Sequence, residues 1–156
     1  MTPITSTSPV LCSQVGRRPP VFSANPEDAA DTEALDAKRV LLVEDEAFIA
    51  FDLTHALEAV GAVVTHARTL EEAMDVARAG RFDAAILDVT LSATQTCRPV
   101  AEMLDASGTP YLLHSGDLDR QGEVLASLDA PVVAKPATAR HVVLELAKVV
   151  QASRPH

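Results

Sequence analysis

Five short apolar runs mark this chain from residue 39 onward, and a stretch with helical spacing follows each of them. The runs are Arg39 to Val43, Ala62 to Ala67, Ala84 to Asp88, Pro110 to Ser115 and Pro131 to Lys135. Each has the length of a strand. The strongest are apolar throughout rather than at every second position, so they leave no face for solvent. Between the first two, Phe48, Ile49, Leu53, Ala56, Leu57 and Val60 recur at helical spacing, and Gly61 follows as a stop. Thr69 and Glu72 make a capping box ahead of the stripe Leu70, Ala73, Met74 and Ala77, which Gly80 closes. Pro99 can open the next helix, with Val100, Met103 and Leu104 inward and Gly108 just past its end. A short helix is predicted around Val124, Leu125 and Leu128. Thr138 caps a last one that carries Val142, Val143, Leu146, Val149 and Val150 inward. Alternating strands and helices with fully apolar strands imply an α/β fold with a parallel sheet covered on both faces. Right-handed crossovers then make it doubly wound, with strand order 2-1-3-4-5.

The 156 residues suffice for one domain with a real core. Hydrophobic residues make up 47% and aromatics 3%, so Val, Leu, Ile and Ala must build that core. The formal net charge of -9 argues against a nucleic-acid partner, because neutralising phosphates needs clustered Lys and Arg. Cys12 and Cys97 form no CxxC pair, which disfavours a zinc site or structural disulfide and favours a reducing compartment. No stretch has the length and apolarity of a membrane span, and the N-terminus lacks the apolar core of a signal peptide. A cytoplasmic protein without a membrane partner is expected. Residues 1–37 crowd five prolines among Ser and Thr, with sparse and aperiodic apolar residues. The expectation is a disordered N-terminal extension, with one or two helical turns possible from Asn25 and Pro26.

In a parallel sheet every strand's C-terminal end lies on one edge, where open α/β sheets bind ligands. Those ends carry Glu44 and Asp45, Asp88, Ser115 and Lys135. Three gathered carboxylates repel one another unless a cation neutralises them, and oxygen donors of this kind suit Mg²⁺. Lys135 and the Ser115 hydroxyl can bind the oxygens of an incoming phosphoryl group. Asp88 is then the candidate nucleophile, since carboxylates form aspartyl phosphates. The alternative is a set of separate, solvated strand ends, with Glu44 to Glu46 merely complementing a helix dipole. Four independent strand ends converging on one mouth favour the first reading.

Val40 to Glu46, Ile86 to Val89, His114 to Gly116 and Val133 to Pro136 stand at spacings that resemble the receiver domain of two-component response regulators. The resemblance covers residues 38–153 and implies a CheY-like, flavodoxin-like fold. It further implies that Asp88 accepts a phosphoryl group from a sensor histidine kinase or a histidine phosphotransfer protein. Mg²⁺ would be held by Glu44, Asp45, Asp88 and the backbone carbonyl of Thr90. Ser115 would turn inward after phosphorylation, Lys135 would bind the phosphoryl group, and the bond to Pro136 would be cis. The switch position three residues before the lysine, usually aromatic, is Val132 here. Asp117 and Thr90 would flank the approach to phosphorus, with Asp117 influencing hydrolysis.

Few residues follow Lys135, so a single-domain regulator is expected, one that catalyses only its own phosphorylation and dephosphorylation. It would act on an unknown downstream protein or as a phosphate sink. Two alternatives stand beside it: a phosphorylation-independent pseudo-receiver, and an aspartyl-nucleophile phosphohydrolase. The second usually carries an acid two residues after the nucleophile, where this chain has Thr90. His114 reads as a packed histidine, Cys97 as a plain loop thiol.

Overall fold

A computed structural model describes residues 26–154 apart from Arg120. In chain order the elements are α1 (Pro26–Thr32), a 3₁₀ turn (Glu33–Leu35), β1 (Arg39–Val43), α2 (Ala47–Ala59), β2 (Val63–Ala67), α3 (Leu70–Ala79), β3 (Ala84–Asp88), α4 (Arg98–Ser107), β4 (Tyr111–Ser115), α5 (Gly122–Ser127), β5 (Val132–Ala134) and α6 (Ala139–Ala152). The five strands form one parallel sheet in the order β2-β1-β3-β4-β5, as the alternation of runs predicts. Every residue of β3 and β4 is buried, whereas β2 and β5, at the edges, are partly exposed.

Alternate residues of each strand feed two separate cores. Leu42, Ile86, Leu112 and Val133 pack under α2 and α6, against Leu53, Leu57, Val143 and Leu146. Leu41, Leu87 and Leu113 pack on the other face, against Ala73 of α3 and Val100 and Leu104 of α4. Each fully buried Leu side chain contributes about 2 kcal/mol, which fixes the register of the central strands. The helix starts follow the sequence: Thr69 Oγ1 accepts from Glu72 N at 3.1 Å and Thr138 Oγ1 from His141 N at 3.2 Å. Gly61, at φ 89°, ends the turn after α2, where a Cβ would run into the Asp36 carboxylate.

Two expectations need correction. Phe48 is 89% exposed rather than inward. Ala50, Leu53 and Leu57 occupy the buried side of α2, and Phe48, Phe51 and His55 fall on the opposite side, where the Phe51 and His55 rings stack. Residues 26–37 are ordered structure and not part of a disordered extension. Leu35 is fully buried and Ala34 nearly so, both in the α2–α6 core. Arg140 pairs with Asp28, Gln151 Nε2 donates to the Asp31 carbonyl at 3.0 Å, and Ala37 N donates to Gly61 O at 2.9 Å. Burying Leu35 offsets ordering entropy that the polar composition of this stretch does not meet by itself. The expectation of disorder for residues 1–25 lies outside the described residues. Among the described residues, no helix is long and apolar enough to cross a membrane.

Candidate functional site

The two-residue period of the strands decides which side chains meet at the sheet's C-terminal edge. Glu44 stands two residues beyond Leu42, Asp88 two beyond Ile86, His114 two beyond Leu112 and Lys135 two beyond Val133. All four therefore emerge on the α2–α6 side of the sheet tip. Ser115 faces the other way, toward the side of Leu113.

Lys135 gathers the acids. Its Nζ lies 3.0 Å from Asp88 Oδ2, 3.1 Å from each Glu44 oxygen and 3.4 Å from Glu46 Oε1. Glu44 and Asp88 are buried, at 1% and 4% exposure, while Asp45 is exposed. Backbone donors complete the set: Thr90 N to Asp88 Oδ1 at 3.1 Å, and Glu46 N to Glu44 Oε1 at 3.2 Å. His114 Nδ1 sits 3.7 Å from Glu44 Oε2, and neither ring nitrogen has a hydrogen-bond partner among the described residues. His114 is thus the packed histidine that the sequence suggests.

Burial, helped by the charge of Glu44, pushes the Asp88 carboxyl up to about 7 against the pull of Lys135. Burial also works to raise Glu44, but the neighbouring His114 and the Lys135 ammonium outweigh it and hold Glu44 below its ordinary value. For Lys135 burial acts downward, and the charges of Asp88 and Glu44 prevail, raising it. The acid–amine cluster is therefore internally paired yet short of positive charge. One carboxylate oxygen each of Glu44, Asp45 and Asp88 lies within 4.8 Å of the others. An all-oxygen set with excess negative charge is what a hard divalent cation completes, so these residues fit a metal ion.

Across from the acids lies a neutral chain. Ser115 Oγ, fully buried, donates to Gln121 Oε1, and Gln121 Nε2 donates to Thr90 Oγ1. Thr90 belongs to a loop closed by a bridge between Thr90 and Thr96 and by Leu91 N to Gln95 O at 3.0 Å. Both sides open on a cleft of about 780 Å³ lined by Asp45, Asp88, Thr90, Asp117, Gln121 and Lys135 among others.

Each predicted residue has a place. Glu44, Asp45, Asp88 and Lys135 meet. Thr90 touches Asp88 through its amide, and Ser115 is turned to Gln121. Asp117 lines the cleft, the Lys135–Pro136 bond is cis, and Val132 on the edge strand is 40% exposed. Cys97 is the plain thiol expected at the end of the loop after Asp88, and it is out of solvent. It is fully buried at the start of α4, and burial, with the charge of Asp88, pushes it up to about 12. An inert thiol results. Two participants were not singled out from sequence. Glu46 was visible only as part of an acidic run, and its contact with Lys135 depends on the turn into α2. Gln121 lies six residues beyond its strand, and no periodicity or motif points to it.

No protein-family model matches the sequence, and no curated protein does. Solved structures do resemble it. A response regulator receiver protein from Sinorhizobium medicae superposes with a TM-score of 0.68 at 21% identity, over 77% of this chain and 99% of that one. The non-phosphorylated HemR receiver domain from Leptospira biflexa gives 0.66 at 28% identity, over 76% and 98%. Chemotaxis protein CheY4 from Vibrio cholerae gives 0.63 at 24%, over 72% and 98%. With its strand order, its cis Lys135–Pro136 bond and these structural matches, this chain has the CheY-like fold of response-regulator receiver domains.

Proposed function

We propose that this protein is a response-regulator receiver that takes a phosphoryl group onto Asp88 from a sensor histidine kinase or a histidine phosphotransfer protein, in the cytoplasm. The observation that carries the reading is the buried Asp88 carboxylate held 3.0 Å from Lys135 beside the carboxylates of Glu44 and Asp45.

A carboxylate oxygen of Asp88 forms the new O–P bond as the phosphorus–nitrogen bond of the donor histidine breaks, and the departing imidazole takes up a proton. Thr90 N and Lys135 orient the Asp88 carboxylate, and the Lys135 ammonium neutralises a phosphoryl oxygen. The Ser115 hydroxyl can donate to another oxygen once it leaves Gln121. Glu44, Asp45, Asp88 and the Thr90 carbonyl are the residues that would hold Mg²⁺. When bound, that ion supplies charge neutralisation for the phosphoryl group. Asp117 lines the cleft and, on this reading, would influence the water that later hydrolyses the acyl phosphate. The protein turns over no external substrate on this reading. It signals by presenting an altered surface to a partner or by draining phosphate from a relay.

Incubation with radiolabelled acetyl phosphate and Mg²⁺ tests the proposal. The wild type should take up label, chelation of Mg²⁺ should abolish uptake, and Asp88→Asn should stay unlabelled. Label surviving Asp88→Asn would assign the chemistry to another residue. A wild type that never labels would favour a phosphorylation-independent binding module.

A further inference from the structure

We propose that Gln121 is a positioning residue that holds the Ser115 hydroxyl away from the cleft until a phosphoryl group on Asp88 competes for its proton. The inference rests on the reading of Asp88 as phosphoacceptor and goes beyond it, to how the site reports its state.

A serine hydroxyl has one proton to donate. That of Ser115 goes to Gln121 Oε1, and Ser115 contributes no accessible surface. Gln121, by contrast, lines the cleft together with Asp88 and Lys135. Its amide is held at the other end by Thr90 Oγ1, and Thr90 N donates to Asp88 Oδ1 at 3.1 Å. One side chain thus ties the hydroxyl of β4 to the loop that grips the phosphoacceptor. Ser115 cannot donate to a phosphoryl oxygen and to Gln121 at once, so recruiting it must release Gln121.

Release has somewhere to go. Gln121 is the N-cap of α5, a six-residue helix with no buried residue. Only Val124 and Leu125, partly buried, attach that helix to the core, with Leu128 just beyond its end. So small an apolar anchor puts α5 at the low-stability end of the molecule, where losing one terminal contact shifts its position. The neighbouring edge strand carries Val132, which has no ring or hydroxyl to follow Ser115. In this chain Gln121 supplies the follower.

The full chain with Mg²⁺ serves for the test. Gln121→Met keeps the volume and loses both hydrogen bonds. It should still label from acetyl phosphate, faster by about fivefold, the factor for one neutral hydrogen bond. In a Ser115→Ala background the same substitution should change nothing, because no hydroxyl is left to release. In amide NMR, beryllofluoride should move the wild-type Gln121 side-chain NH₂ and the backbone amides of Gly122 to Ser127. In Gln121→Met those amides should begin near their beryllofluoride positions. If circular dichroism shows Gln121→Met unfolded, Gln121→Ala takes its place in the same cycle. Wild-type labelling rate and wild-type α5 signals in the variant would overturn the proposal. So would an equal rate change with and without Ser115, which marks a merely structural role. Either result would leave wild-type labelling intact. A wild type that does not label would overturn the reading of Asp88 and this inference with it.

Discussion

The two sides of Asp88 are built on opposite principles. On one side Glu44, Lys135 and Glu46 form a cluster of full charges, with Glu44 almost entirely out of water. On the other, Thr90, Gln121 and Ser115 form a chain of neutral hydrogen bonds. Buried charges carry a large desolvation cost and hold together only while every partner is present. Neutral hydrogen bonds contribute about 1 kcal/mol net and can be exchanged one for another. The charged side therefore suits chemistry that must be poised beforehand. The neutral side suits adjustment, since swapping one acceptor for another there is nearly free.

The largest test of that contrast is Lys135→Met, which leaves Glu44 and Asp88 buried without their shared cation. A loss of about 3–5 kcal/mol in urea unfolding at pH 8 is expected, as for breaking a buried ion pair. A loss below about 1 kcal/mol, the range of exposed pairs, would mean that the two sides do not differ in kind.

Asp88→Asn sharpens the comparison through pH. The folded state raises Asp88 to about 7 from an ordinary 3.8. Between those values the folded chain keeps a proton that the unfolded chain has lost, so stability falls as pH climbs from about 4 to about 7. Asn carries no such proton. Without Mg²⁺ the variant should lack that slope and be more stable than the wild type at pH 8, by on the order of 4 kcal/mol. Parallel stability curves across this window would show that burial of Asp88 strains the fold far less than its surroundings imply. Added Mg²⁺ should narrow the gap, because it binds the ionised wild-type cluster in the folded state.

The smallest effect belongs to the neutral side. Thr90→Val removes the hydroxyl that accepts from Gln121 and leaves the backbone bond to Asp88 in place. About 1 kcal/mol or less is expected, with no change in pH dependence. A cost as large as that of Lys135→Met would erase the distinction.

What could be read from sequence follows the same division. Asp88, Glu44 and Lys135 sit on strand ends, and strands are short enough for apolar runs and the two-residue period to place their tips. The sheet order followed from strand–helix alternation for the same reason. Gln121 was invisible because it lies beyond the end of β4 with no periodicity to carry its position, and only the folded loop decides where its amide arrives. Leu35 was missed differently. It stands among acidic and small residues after a proline-rich stretch, and its burial depends on α6, which lies at the far end of the chain. Phe48 shows the limit of spacing alone, since helical periodicity fixes which residues share a face and not which face turns inward when several are apolar.

The most direct measurement is chemical mapping of the phosphorylated residue. After exposure to acetyl phosphate and Mg²⁺, borohydride reduction converts an aspartyl phosphate to homoserine, which peptide mass spectrometry locates. The account predicts homoserine at position 88 and at no other aspartate. An unreduced Asp88 in a labelled protein, or homoserine elsewhere, would contradict it.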